Sequence, residues 1–512
     1  MKKTKFALGV LAVLLCGSAG ARNGEVKMRE GTITLPAYRV NAPEKAPLFE
    51  RDFAYQRAKR GVYPYAMNDN PTDEKIDTTY RALFLENDYL EVCVLPDIGG
   101  RLFYATDKTN GYEIFYRQHV IKPANVGMLG AWISGGVEWN VFHHPRATSQ
   151  YPIDYKLVDN GDGSKTIWVG EVEKRHRMSW AIGMTLYPDR SYIEVKGRFF
   201  NNSPDRNSML HWNNVATHAN ENYQIVFPEN TEFGTFHHKN SFMRWPVPDA
   251  PYCGNPDYIG KDVSYWRNLP ALMGGSVFVY DLQDDFIGGY DYGKNAGTML
   301  AGNRHINKGG KFWTWGHMNY GHEWDCKTLT DEDGAYVELM TAAYSDNQPD
   351  YCWLNPYETK EFTAYWYGIR DLKHVNRGNE HATVNMEVGA DGRLHLAANV
   401  TRIRPDARIV VRRGGKTLYE TTALIAPDKP FAADTKVPAE EVAEPSEVTM
   451  YLYDSEGNEL ISYHPYKLDR TKPMPDPVIP LNPDPKSVEN TEEVYYLGMR
   501  NLQFHNAHVD PN

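Results

Sequence analysis

Short runs of alternating polar and apolar residues, separated by turn residues, fill positions 31–371. Alternation with a period of two marks half-buried strands, and almost no stretch here sustains a helical period. Residues 89–95, 166–170 and 191–199 are examples, and Asn160-Gly161-Asp162-Gly163 between two such runs predicts a tight turn. The pattern predicts one large all-β region, within the upper range for a single β domain. A smaller β unit follows, with strand-like runs at 394–398, 408–412 and 448–453 punctuated by Gly414-Gly415 and Asp454-Ser455-Glu456-Gly457-Asn458. Its length and spacing predict an immunoglobulin-like sandwich. Residues 470–487 are proline-rich and predict an extended linker, and 491–504 predict a short helix. The expected boundaries are 30–375 for the large domain, 381–469 for the small one and 470–512 for linker and tail.

The first residues depart from this pattern. Lys2, Lys3 and Lys5 precede an apolar stretch over 6–15, which relaxes into Ala19-Gly20-Ala21. Charge, apolar core and small residues in that order predict a secretory signal at 1–21, cleaved after Ala21. The stretch is shorter than the about 20 residues a membrane span requires. Cys16 as a lipid acceptor is the lesser alternative, because bulky Leu15 precedes it. No later stretch is long and apolar enough to span a bilayer, so the mature protein is expected to be soluble and periplasmic or secreted.

Composition narrows the partners. The 512 residues carry a formal net charge of -11, which argues against nucleic acid, whose phosphates are bound by Lys and Arg. With 13% aromatic residues the chain is too rich in ring side chains to be disordered. Cys93, Cys253, Cys326 and Cys352 would remain after cleavage; they allow three pairings, and their surroundings lack zinc spacing, so buried free thiols are the expectation.

Chemistry concentrates in four segments of the large domain: Trp132 to His144, Met209 to Asn220, Asn303 to Asp325, and Asp331 to Gln348. Trp and Tyr faces suit the C–H surfaces of pyranose rings, while Asn, Asp, His and Arg edges suit hydroxyls, although the same residues also build β cores. Glu138 lies between Val137 and Trp139, and Glu338 sits in the apolar run Tyr336-Val337-Glu338-Leu339-Met340, where a buried acid demands a partner. His211 between Leu210 and Trp212 is a candidate acid or a core histidine. Arg101, Trp139, Asn140, His143, Trp212, Asn213, His305, Trp315 and Trp324 are the candidate substrate contacts. His143-His144 and His237-His238 are adjacent pairs that point to opposite faces of a strand, so no metal is assigned to them. Asp331-Glu332-Asp333-Gly334 reads as a solvated acidic turn, with calcium as the minor alternative; no cofactor is otherwise expected.

Val94-Leu95-Pro96-Asp97-Ile98-Gly99-Gly100-Arg101-Leu102 resembles the opening of galactose-mutarotase-like β-supersandwich domains. His211-Trp212-Asn213 resembles the aldose-epimerase segment with a catalytic His, and Val337-Glu338-Leu339-Met340 the segment with a catalytic Glu. More closely, Gly135-Gly136-Val137-Glu138-Trp139-Asn140, Lys311-Phe312-Trp313-Thr314-Trp315-Gly316 and Leu329-Thr330-Asp331-Glu332-Asp333-Gly334 resemble a bacterial family of unknown function in which this domain and a small β domain are often followed by tetratricopeptide repeats. The resemblance implies an all-β fold, a large galactose-mutarotase-like supersandwich followed by a small immunoglobulin-like sandwich. It also implies Glu338 as base and His211 as acid, with His176 and His218 as candidates for a further histidine.

Three functions compete. A glycoside hydrolase would use Glu138 and Glu338 as its carboxyl pair, acting on oligosaccharides. A mutarotase or epimerase would use Glu338 and His211. A non-catalytic glycan-binding protein would need neither acid.

Overall fold

The computed structural model describes residues 24–46, 64–127, 129–142, 146–174, 177–270, 274–348, 350–478 and 484–503. The expected signal segment with Cys16 and Ala21, and the candidates His143 and His176, lie outside the described residues.

Two large antiparallel sheets build the large domain, beside a small pair of strands, Ala124–Gly127 with Gly130–Trp132. The 13-stranded sheet runs through Lys27–Val40, Pro71–Glu86, Leu90–Leu95, Arg101–Asp107, Val137–Phe142, Asn207–His218, Tyr336–Ala342, Gly309–Thr314, Gly275–Val279, Phe233–Thr235 and Phe242–Arg244, with two short strands off that path. The 8-stranded sheet runs Tyr223–Val226, Phe286–Asp291, Ala296–Ala301, Thr359–Arg370, Tyr192–Asn201, Met178–Leu186, Lys165–Glu173 and Asp154–Asp159. The turn expected at Asn160-Gly161-Asp162-Gly163 joins the last two of these; Gly161 and Gly163 take φ of 80° and 89°, a left-handed backbone that glycine adopts without a Cβ clash.

Side chains on a strand alternate between faces, so each strand of the larger sheet sends one set toward the second sheet and the other set away. Val137, Trp139 and Val141 face inward. Trp139 stacks on Trp366 of the second sheet, ring centroids 5.8 Å apart at 13°. Met209, His211, Val215, Phe199 and Phe362 continue that layer. The opposite face of the same central strands is also buried, because long loops cover it; Glu138, Asn140, Trp212, Asn214 and Glu338 are each 6% exposed or less. That second buried face carries the chemistry described below.

A separate sandwich follows. One sheet orders Arg377–Gly378, Ala382–Val388, Arg393–Val400 and Phe431–Lys436; the other orders Lys416–Ile425, Arg404–Arg413, Val448–Tyr453 and Glu459–Tyr463. Ile409, Val411, Leu396 and Leu452 lie in its core. Asn376 and Tyr463 both donate to Glu229 of the large domain, which fixes the seam between the two bodies. The chain then returns to the large domain. Arg470 donates to the Trp245 carbonyl, Lys472 pairs with Glu232 at 2.8 Å, and the Val478 amide donates to the Lys239 carbonyl. The proline-rich stretch is extended as composition predicts, but over its described part it is laid along the domain rather than free in solvent. A helix covers Thr491–Gln503.

The four cysteines of the described residues are free thiols. Cys93 is fully buried, as expected, whereas Cys253 is exposed and Cys326 and Cys352 are half-buried. Among the described residues no helix is long and apolar enough to cross a membrane.

Removal of one of the two stacked indoles should open a cavity that neither sheet can close. Trp366→Ala is expected to lower unfolding stability by about 3–5 kcal/mol, read by urea denaturation; a loss under about 1 kcal/mol would mean that the inter-sheet layer packs by some other means.

Candidate functional site

The strand Asn207–His218 is the axis of the site. It pairs with Val137–Phe142 on one side and Tyr336–Ala342 on the other, in a register that sets Glu138 opposite Asn214 and Glu338 opposite Ala216. Residues opposite one another share a face. Glu138, Asn140, Trp212, Asn214, Ala216, His218, Tyr336 and Glu338 therefore share the face turned away from the inter-sheet core. Gly309–Thr314 adds Lys311 and Trp313 to it, since Trp313 pairs with Glu338 and Lys311 with Met340. Gly136 lets the strands meet: at φ 59° an added Cβ would lie 2.3 Å from the Leu102 carbonyl oxygen.

Hydrogen bonds hold this floor in place. Trp132 Nε1 donates to Glu138 Oε2 at 3.1 Å, and Tyr336 donates its hydroxyl to Glu338 Oε1 at 3.2 Å. Trp315 Nε1 donates to the Tyr336 oxygen at 3.1 Å, and its ring lies parallel to Trp324 at 4.3 Å. Asp325 follows Trp324 on a wide helical turn, Trp324–Thr328, and is 1% exposed. Arg101 donates to the carbonyls of Gly135 and Ile133. Lys311 donates to Gln348 at 3.1 Å and lies against the rings of Trp212 and Phe278. At the rim, Tyr116 stacks on Tyr336 at 5.2 Å and meets His218 edge-on at 4.4 Å.

Burial dominates the electrostatics. It pushes the Glu338 carboxyl up; the Lys311 ammonium pulls it back, the Asn214 amide lowers it further, and the Glu138 charge raises it. Lys311 is pushed down by the same burial and partly restored by Glu338. Asp325 rises to about 9, first through burial and then through Glu338; the Tyr336 main chain tempers the rise without completing a hydrogen bond to either oxygen. His218 falls to about 4, chiefly through burial, with Lys294 adding to the fall. Arg101 is lowered by burial and restored in part by Glu138.

The fold brings Glu138, Glu338, Arg101, Asn140, Trp212, Trp315 and Trp324 to this region. It does not bring His211, Trp139 or Asn213. Each lies an odd number of positions from the site face, so each points the other way. His211 sits between Phe199 and Phe362, ring centroids 4.7 and 5.0 Å away, and burial pushes it down to about 3. The acid expected at His211 is thus on the far side of the sheet from Glu338, and the histidine that shares the Glu338 face is His218, register partner of Tyr336. Trp139 packs on Trp366, and Asn213 donates to Thr341 at 3.1 Å. His305 is exposed in a turn beyond the Gly309 end of its strand, whereas Glu338 pairs with Trp313 near the other end. The acidic turn is not simply solvated either. Asp331 accepts from Lys75 at 2.9 Å and from Lys122 at 2.8 Å, and Asp333 from His119, so ammonium and imidazole groups occupy the oxygens that calcium would need.

Lys311, Tyr336 and Asp325 are the residues that sequence reading passed over as members. Tyr336 had a signal, two positions from Glu338 on a strand; Asp325 had one in its tryptophan neighbour; Lys311 had one in its alternation with Phe312.

A family model described as a domain of unknown function, DUF5107, matches residues 57–369, more than half of the chain. The chain belongs to the DUF5107 family. A second model, described as the second domain of YphG-like proteins, matches residues 377–463. Among solved structures, this DUF5107 chain is similar to a TPR-domain containing protein from Parabacteroides distasonis, with 20% identity and a TM-score of 0.57 over 68% of this chain. It spans 56% of that protein's length. It is also similar to a galactose mutarotase-like protein from Clostridium acetobutylicum, with 11% identity and a TM-score of 0.38 over 57% of this chain and 96% of that one. A galactose mutarotase related enzyme from Lactobacillus acidophilus gives 11% identity and a TM-score of 0.36 over 56% and 97%. The fold of this DUF5107 chain is all-β.

Asp325 makes the stability of the domain depend on pH. Unfolded, an aspartate ionises near 3.9; folded, Asp325 holds its proton to about 9. Its favourable contribution is complete below about pH 4 and is lost as pH rises toward 9, at up to about 1.4 kcal/mol per pH unit. Asp325→Asn is uncharged throughout and is expected to melt increasingly above the wild type as pH rises from 4 to 9. An advantage that stays flat with pH in thermal scans would show that this carboxyl ionises normally.

Proposed function

We propose that this chain is an exported carbohydrate-active enzyme, and that it is a glycoside hydrolase acting on oligosaccharides. The observation that carries the reading is a pair of buried carboxyls, Glu138 and Glu338, on one face of the sheet and on the two strands flanking Asn207–His218. Strands lie about 4.8 Å apart, so the two backbones are about 9–10 Å apart, nearer the wide carboxyl spacing of inverting enzymes than the about 5–5.5 Å of retaining ones. Glu338, whose proton is held by burial, protonates the leaving oxygen. Glu138, fixed by the Trp132 indole, takes the proton of the attacking water. Trp324, half-buried and backed by the parallel ring of Trp315, offers a flat apolar surface for a pyranose face.

A second reading has its own support. His218 lies beside Tyr336, whose hydroxyl bonds Glu338, so a base and an imidazole share the site face. A mutarotase would use that pair to open and close a free sugar's ring without releasing a product.

Mature protein assayed on aryl-glycosides and plant and host oligosaccharides separates the two. Hydrolysis is expected, with Glu138→Gln and Glu338→Gln each lowering kcat by about 10²–10⁴. Full activity in both variants would remove the carboxyl pair from the mechanism. Anomer exchange seen by polarimetry, without released sugar and abolished by His218→Asn, would establish the mutarotase reading instead.

A further inference from the structure

A row of aromatic rings leads outward from Glu338. Trp313, its register partner on the next strand, meets Trp315 edge-on with ring centroids 4.4 Å apart. Trp315 lies parallel to Trp324 at 4.3 Å, and Trp324 in turn is 6.3 Å from Tyr320, the two rings tilted by 52°. Exposure rises along the row. Trp315 is 7% exposed, Trp324 half-buried, Tyr320 38% exposed, and Met318, two residues earlier, 52%. The inner rings pack with Tyr116, Trp132 and Tyr336 in one small apolar cluster, so core packing accounts for them. It does not account for Tyr320 or Met318. Apolar side chains scattered singly over a surface are ordinary, but a pair that prolongs a run of rings out of a buried polar site marks a binding surface.

The outer end of the row is held in place. Gly321 packs so closely on Gly316 that an added Cβ would collide with the Gly316 carbonyl oxygen. His317 pairs with Glu221 at 2.8 Å, and the Thr328 hydroxyl donates to the Glu323 carbonyl at 2.7 Å. The short helix Asn319–Glu323 therefore presents Tyr320 from a fixed seat, and a ligand that meets it spends little on ordering. The inner end offers both kinds of hydrogen-bonding group. Glu138 Oε1 and Asn214 Oδ1 are buried acceptors without partners, while Trp212 Nε1, Asn140 Nδ2 and Arg101 Nε are buried donors without partners. A hydroxyl group donates and accepts at once, so a polyhydroxylated ligand suits this mixed set.

Resting on the carbohydrate reading above, we infer that Tyr320, with Met318 and the outer side of Trp324, forms an outer subsite for a further residue of a saccharide chain whose inner residue lies over Glu138 and Glu338, and that Tyr320 sets the preference for chain length. Trp324 is the joint between the two ends. One of its faces is covered by Trp315, and the tilt of Tyr320 against it leaves an apolar corner suited to the C–H face of one pyranose. A monosaccharide seated over the carboxyls leaves Tyr320 in water, whereas a longer chain follows the rings out to it.

Binding of the full mature chain to malto-, cello-, manno- and chito-oligosaccharides of one to five residues, followed by calorimetry and tryptophan fluorescence, tests this. In the series that binds, affinity is expected to rise at least about tenfold from the monosaccharide to the trisaccharide, the scale of a well-placed aromatic contact. Tyr320→Ala should remove that gain, so that short and long members bind alike, and Tyr320→Phe, which keeps the ring, should retain it. Equal affinity along the series, or a gain that survives Tyr320→Ala, overturns the outer subsite and leaves the carbohydrate reading standing. Binding of no saccharide overturns both. Self-association that Tyr320→Ala abolishes, in place of any effect of chain length, also overturns the subsite, because the exposed rings would then join two copies of the chain.

Discussion

Desolvated carboxyl groups are the constraint on which the rest of this domain turns. Removing an ionised group from water costs more than almost any packing gain can return, unless it is neutralised or paired. Glu138, Glu338 and Asp325 are buried together on one side of a sheet whose other side is already a hydrophobic core. The sheet therefore has no wet face at its centre. Everything around the three acids answers to that: the indoles of Trp132 and Trp315 turn their N–H groups inward, Lys311 is buried beside Glu338, and the acidic turn at Asp331 is tied to Lys75 and Lys122 from segments far away in the chain.

Much of this was legible in the sequence, and what was not has a definite cause. Alternation identified the strands, because a side chain's face depends only on its neighbours along the chain. Glu138 and Glu338 stood out because each interrupts an apolar run. Which histidine joins them was not legible. His211 and His218 lie on the same strand seven positions apart, an odd separation, so one must face the core and the other the site. Choosing between them requires the register against Tyr336–Ala342, and register is a property of two strands brought together over a long loop. Trp139 and Asn213 misled for the same reason. Asp325 sits on an irregular helical turn, where no periodicity assigns a face. The acidic turn is polar whether it is solvated or bound by lysines, and only the fold shows which.

The small sandwich adds no acid to this site, yet its attachment is elaborate. It leaves the large domain after Thr359–Arg370, meets it again through Glu229, and is followed by an extended return segment pinned at Trp245, Glu232 and Lys239. The chain thus makes a closed circuit. A lobe hung on one linker swings about a single pivot, but a lobe inside a closed circuit can rotate only if one of its two anchorages lets go. Because Arg244 also donates to the Lys472 carbonyl at 2.8 Å, force applied along the return segment would be carried into the large sheet at Phe233–Thr235 and Phe242–Arg244, the margin beside Glu232 and Arg244, and would bypass the small sandwich altogether.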